Sequence, residues 1–253
     1  MSSHHEQLFA GDFVIRDDDV FLVSYPRSGN TWARFLLANL VHYNSGEPVD
    51  FHSVHQLVPE IELKAHREIL RAMPSPRLIK SHSLYDPRFK RVIYILRDGR
   101  DVMVSFYCYR TGLGRFTGSF LDFLQKVDLQ PCRWHEHVES WLGCAHPCDL
   151  LLIRYEDMLR HPPVELERIA RFAGLPCDQE RIAWATSRST FDAMQKLERE
   201  KGREMAQAPG LEFVRRGIAG DWQAHFDVAH AKEFKSYANQ TLLRWGYAGD
   251  EDW

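Results

Sequence analysis

The chain has 253 residues, enough for one sizeable core, and single α/β domains commonly reach this size. Its formal charge of −3 gives no general footing for nucleic acid, although a local basic pocket can sit inside such a total. No apolar run approaches a membrane span, and the start, MSSHHEQLFAGDF, lacks the basic and apolar stretches of a secretory signal, so a cytoplasmic protein is expected.

Residues 1–18 read as a polar lead-in, followed by VFLVS (20–24), a buried strand. The loop YPRSGNTW leads into 31–43, whose apolar residues recur at helical spacing. Strand, small-residue loop and helix in that order put free backbone N–H groups where an anion can dock. The loop has a single glycine, Gly29, and no GK[ST], so it is not the ATP-type phosphate loop. Residues 45–76 are interrupted by Pro48, Pro59, Pro74 and Pro76. RLIKSH (77–82) reads as a short strand ending in polar groups, and RVIYILR (91–97) as the clearest buried strand. In DGRDVMVSFYCYR, Val102, Met103, Phe106 and Tyr109 fall at helical spacing. Glycines loosen 111–130, with one helix expected near 119–127, and 133–145 reads as helical. DLLLIRYED (149–157) reads as a fourth strand and its exit loop, and 163–176 as a helix stopped at Gly174. Further helices are expected near 178–186 and 228–245, with 200–218 a charged loop.

Apolar strands alternating with helices imply a parallel sheet covered on both faces, in one domain without an internal boundary. Ligands of such sheets bind beyond the carboxyl ends of the strands. Polar clusters stand at all four exits: Tyr25–Thr31, Lys80–His82, Arg97–Asp101 and Arg154–Asp157. Arg27, Ser28, Asn30 and Thr31 suit a phosphate or sulfate, or Ser28 and Thr31 simply cap a helix. Arg97 and Ser105 can hold a second phosphate, or Arg97 pairs with Asp98 or Asp101. Arg215, Arg216 and Gly217 place two guanidiniums on a flexible backbone, which fits another phosphate or a solvated basic loop. His82 can act as a base near neutral pH, and Lys80 projects to the same side of an extended chain. The five cysteines lack CxxC spacing, and no metal site is expected.

In this order, YPRSGNTW, KSH, LRDGRDVMVSFY, RYEDM and VRRGIAGDW resemble the motifs of the cytosolic-type sulfotransferases that use 3′-phosphoadenosine 5′-phosphosulfate (PAPS). The matching segments span about residues 20–230. The resemblance implies a fold like that of the P-loop nucleotide kinases, a three-layer α/β arrangement with a central parallel sheet. It implies transfer of a sulfuryl group from PAPS to a hydroxyl of a small-molecule acceptor, leaving PAP, with no metal. Arg27, Ser28, Gly29, Asn30 and Thr31 would hold the 5′-phosphosulfate. Trp32 would stack on adenine and Tyr155 contact it, with Ser189 and Phe191 nearby. Arg97, Ser105, Arg215, Arg216 and Gly217 would hold the 3′-phosphate. His82 would be the base, and Lys80 and Arg27 would offset charge at the transferred group.

Two departures stand out against this family pattern. Arg27 occupies a position where many members have lysine, and arginine cannot donate a proton to a leaving oxygen. The dimer motif KxxxTVxxxE aligns with Gln223–Lys232, where of its specified positions only Val228 agrees, so that assembly mode is not transferred. The alternatives are an ATP-dependent phosphotransferase and a non-catalytic nucleotide-binding module. The acceptor pocket is expected to draw on 44–76, 111–130 and 200–214, with Phe106, Tyr107, Tyr109 and Phe116 available to line it or to pack the core.

Overall fold

The computed structural model describes residues 13–202, 214 and 216–253. Four strands form a fully parallel sheet in the order β2-β1-β3-β4: β1 (Val20–Ser24), β2 (Leu78–Ser81), β3 (Arg91–Leu96) and β4 (Asp149–Arg154). β1 pairs with β2 through Val23 and Ser81 and with β3 through Ser24 and Ile95, while β3 pairs with β4 through Leu96 and Arg154. The carboxyl ends of all four strands therefore lie along one edge.

The continuous apolar runs are explained by burial on both faces. Val20 and Leu22 of β1 enter one core with Ala33, Phe35, Leu36 and Leu40 of helix α1 (Asn30–Val41). Phe21 and Val23 enter the other, as side chains alternating along a strand must. The second core holds Val102, Met103 and Phe106 from the helix after β3, together with Trp134, Trp141 and Phe234. Arg77 fastens the amino edge: fully buried, it donates to both carboxylate oxygens of Asp19 at 2.7 and 2.5 Å.

In chain order the other helices are α2 (Val54–Leu57), α3 (Arg67–Ala72), α4 (Gly99–Gly112), α5 (Phe120–Gln125), α6 (Trp134–Leu142), α7 (Tyr155–Arg160), α8 (Pro162–Ala173), α9 (Gln179–Arg188), α10 (Phe191–Lys201) and α11 (Val228–Arg244). Four of them add to or differ from the sequence reading. In RYEDM, Arg154 ends β4 and Tyr155 opens a helix, α7, so no exit loop separates them. α10 occupies a segment for which no helix was expected. Its residues are mostly polar, and only Met194 and Glu198 are buried, so the apolar stripe is too thin to read. Within 45–76, α2 and α3 flank an extended stretch at which Glu60 pairs with Lys80 as an isolated parallel bridge on the free edge of β2.

Candidate active site

The four strand exits converge on a cavity of about 580 Å³. Its walls include Arg27, Gly29, Asn30, Thr31, Trp32, Lys80, His82, Arg97, Ser105, Tyr155, Phe191, Arg216 and Gly217, segments scattered over the length of the chain.

The first loop turns through two left-handed residues, Arg27 at φ +69° and Gly29 at φ +95°. A β-carbon on Gly29 would stand 2.5 Å from the Tyr155 ring, so glycine is required by conformation and by space. Gly29 is also the N-cap of α1 and offers no side-chain cap. The first N–H groups of the helix have no intrahelical partner, and Gly29, Asn30, Thr31 and Trp32 line the cavity, so this end of α1 is open to an anion. The capped-turn alternative does not hold. The Asn30 side chain is structural: it is buried, and its Nδ2 donates to the Leu22 carbonyl at 3.1 Å and to Ser24 Oγ at 3.2 Å. Ser28 is buried beneath the loop, and its N–H donates to the Tyr25 carbonyl at 3.2 Å.

Arg27 Nε donates to Ser105 Oγ at 3.1 Å, and its guanidinium lies 4.7 Å from the Tyr109 ring centre. This joins the first loop to α4. Arg97 donates to the carbonyls of Arg27 and Ile218 at 3.1 and 3.0 Å and lies 4.3 Å over the Tyr155 ring. Its contact with Asp101 is long, 3.8 Å, and Asp98 pairs with Arg100 instead. The ion-pair alternative for Arg97 is therefore a minor part of its environment. Asp101, fully buried, accepts from the N–H groups of Gly220 and Trp222 at 2.7 and 2.8 Å, holding the C-terminal loop against α4.

In that loop Arg216 pairs with Asp221 at 2.5 Å, and its side chain remains 52% exposed beside the cavity. Gly217 has φ +62°, and a β-carbon there would lie 2.7 Å from the Phe191 ring, so these two cavity residues meet. Arg215 lies outside the described residues. Trp32 and Tyr155 meet edge to face, with ring centres 6.0 Å apart at 78°, and both line the cavity. Trp32 Nε1 donates to the Ser189 carbonyl at 2.8 Å. Ser189 is displaced from its expected place: its hydroxyl is fully buried, accepts from Asn39 Nδ2 at 3.1 Å and does not line the main cavity. It supports Trp32 through its backbone.

At the β2 exit, His82 Nδ1 lies 2.6 Å from the Ser24 carbonyl. A carbonyl only accepts, so Nδ1 carries the proton and Nε2 keeps its lone pair. Burial, then the Lys80 charge, pushes the His82 imidazole down to about 3. Lys80 Nζ lies 2.5 Å from Glu60 Oε2. Burial pulls the ammonium below its ordinary value, and Glu60 opposes that shift. Glu60 is drawn to about 2: burial pushes it up, and the charges of Lys80 and His82 with the Lys80 hydrogen bond outweigh burial. Glu62 braces the same exit, accepting from Ser81 Oγ at 2.5 Å and from the His82 N–H at 2.8 Å. Sequence reasoning missed Glu60, Glu62 and the loop-holding part of Asp101. The only signal was two carboxylates next to Pro59 in VPEIE.

Of the expected acceptor-side segments, 44–76 contributes Phe51, Val54, His55, Glu60 and Leu63, and Val214 joins from the last. No described residue of 111–130 lines the cavity. Phe106 and Tyr109 do line it, whereas Tyr107 and Phe116 pack around Phe123.

A parallel α/β sheet with an uncapped helix terminus, flanking cations and an unprotonated imidazole at adjoining strand exits is the architecture of a group-transfer enzyme of the P-loop-like class. The sulfotransferase domain model matches residues 17–246, and the chain belongs to the sulfotransferase family. It is 30% identical to mouse Sulfotransferase 2B1 over 245 residues, covering 90% of this chain and 72% of the relative. It is 30% identical to dog Sulfotransferase 1A1 over 251 residues, covering 88% and 83%. The mouse sulfotransferase SULT7A1 complexed with PAP superposes with a TM-score of 0.69 at 25% identity, covering 91% of this chain and 86% of that one. Retinol dehydratase, in a complex with retinol and PAP, shares the fold with a TM-score of 0.71 at 22% identity, covering 90% and 82%. The protein is thus a PAPS-dependent sulfotransferase.

Proposed function

We propose that this enzyme transfers a sulfuryl group to a hydroxyl of a small, partly apolar molecule, with His82 as base and Lys80 and Arg27 offsetting charge. One observation carries the assignment of His82: the 2.6 Å contact of Nδ1 with the Ser24 carbonyl leaves Nε2 unprotonated and free to accept a proton beside Lys80.

The residues fit PAPS. The N-cap of α1 lacks a side-chain cap, its cradle excludes a β-carbon, and Arg97 and Arg216 bring cations to the cavity that Trp32 and Tyr155 also line. PAPS, when bound, supplies the sulfuryl group and a phosphate leaving group. The α1 terminus and Arg27 hold the anionic end, Trp32 and Tyr155 take the base, and Ser105 with Arg97, Arg216 and Gly217 take the 3′-phosphate. Arg215, where it falls in the motif, belongs to the same set. His82 Nε2 accepts the acceptor's hydroxyl proton as the acceptor oxygen bonds to sulfur and the bond from sulfur to the bridging phosphate oxygen breaks. That oxygen keeps the electron pair, and Lys80 and Arg27 stabilise its charge. Positioning and fixed charge supply most of the acceleration. Arginine at position 27 cannot deliver a proton, so its own contribution at the leaving oxygen is charge alone.

Phe51, Val54, Leu63, Phe106 and Tyr109 give the acceptor side an apolar wall. This favours a small hydroxylated metabolite over a polysulfated chain. No helix among the described residues is long and apolar enough to cross a membrane, and a cytoplasmic site of action is part of this reading. Calorimetric titration with PAP, with ATP as control in metal-free buffer, tests the nucleotide half. Tight PAP binding with weak ATP binding is expected, and a preference for ATP would return the phosphotransferase reading. A screen of phenols, sterols and primary alcohols with labelled PAPS tests the acceptor half.

A further inference from the structure

We propose that Glu60 is the positioning residue for Lys80, locking the ammonium at the reacting end of the cavity. Residues 59–62 are laced to the free edge of β2 one residue at a time. Lys80 N–H donates to the Pro59 carbonyl at 2.8 Å, and Ile61 N–H donates to the Lys80 carbonyl at 3.0 Å. Glu62 then takes Ser81 Oγ and the His82 N–H. Glu60 N–H donates to His66 Nδ1 at 2.9 Å, which fixes the backbone from which the carboxylate projects. The carboxylate has one placement, on Lys80 Nζ at 2.5 Å, with both side chains mostly buried and both lining the cavity.

The consequence is electrostatic as well as geometric. The charged and titratable groups acting on Lys80 are Glu60, Glu62 and Arg34, with His55 and His82 alongside. Arg34 is cationic and buried, donating to the Val58 carbonyl at 2.9 and 2.6 Å. Burial and Arg34 both favour loss of the Lys80 proton, and Glu60 is the main group favouring its retention. An ammonium has three donors, so bonding to Glu60 leaves two for the transferred group.

The inference rests on the assignment of Lys80 as charge stabiliser. The test follows the Lys80 side chain by NMR of the full chain labelled with ¹³C,¹⁵N-lysine, in wild type, Glu60→Gln and Glu60→Asp, with Lys80→Met identifying the signal. Turnover is followed as sulfuryl transfer from 4-nitrophenyl sulfate to PAP. In Glu60→Gln, Lys80 is expected to lose its proton about 1–3 pH units earlier, the shift typical of removing an opposite charge at contact distance. The basic limb of the turnover profile should move down by the same interval, and kcat should fall about 10- to 100-fold with PAP affinity retained. Glu60→Asp should restore the limb, which a merely structural role would not do. Lys80 titrating at the same pH in wild type and Glu60→Gln overturns the proposal while leaving the assignment of Lys80 intact. Wild-type turnover in Lys80→Met overturns that assignment, and the proposal with it.

Discussion

Asp101→Asn should detach the C-terminal loop from α4 without touching any group assigned to the reacting atoms. The carboxylate is 1% exposed, and its two oxygens take the Gly220 and Trp222 N–H groups at 2.7 and 2.8 Å. Asparagine keeps one acceptor oxygen and turns an NH₂ toward the other donor, so one bond is lost and two donors oppose. Hydrogen bonds to a charged group contribute about 1.5–3 kcal/mol each. Gly220 is exposed and Trp222 half-buried, so water can partly replace the lost bond and the cost should sit near the lower end, about 2 kcal/mol. Arg97 loses a counter-charge 3.8 Å away, which favours phosphate binding and offsets a small part. If the loop must be docked for Arg216 and Gly217 to meet the 3′-phosphate, PAP affinity should fall about 30-fold, at 1.4 kcal/mol per tenfold. Calorimetric titration at fixed pH and salt reads this directly. A PAP affinity within threefold of wild type would refute the coupling between Asp101 and the nucleotide.

His82→Asn should lower turnover about 10²- to 10⁴-fold, the usual contribution of a positioned general base, with PAP binding by calorimetry unchanged. Comparable turnover would remove His82 from the mechanism. Gly29→Ala should weaken PAP binding at least tenfold: a left-handed alanine costs about 1–2 kcal/mol, and its methyl would meet the Tyr155 ring at 2.5 Å. Binding equal to wild type would show that the Gly29 turn is not part of the cradle. His55 and His82 are held down to about 3 and His137 to about 4, chiefly by burial, against about 6.5 in an unfolded chain. The unfolded state therefore binds more protons between pH 6.5 and pH 4, so stability rises with pH there and is lost as pH falls. The melting temperature should drop steadily from pH 7 to pH 5, and a flat profile would contradict the burial of these rings.

The two central strands, β1 and β3, were the clearest because a strand buried on both faces of a parallel sheet is apolar almost throughout. VFLVS and RVIYILR leave little room for another reading. The ordered motifs were legible because anion binding at a strand exit restricts residue type locally, and Arg27, Gly29, Lys80, His82, Arg97, Ser105 and Tyr155 do line one cavity. α7 was misread because the chain turns from β4 into a helix with no intervening loop residue. α10 was missed because it buries so little apolar surface.

Residue order by itself determined the class of sheet, the edge on which the site had to lie and the chemical type of its anion. Tertiary structure alone decided which polar groups face that site and which are spent on the scaffold. Asn30 bonds back to β1, Ser189 bonds to Asn39, and Asp101 holds a loop more than a hundred residues away. Glu60 reaches Lys80 only because a non-strand segment pairs with the edge of β2. Local periodicity reports burial, but a hydrogen bond or ion pair needs two groups within about 3 Å, and long-range packing sets that distance.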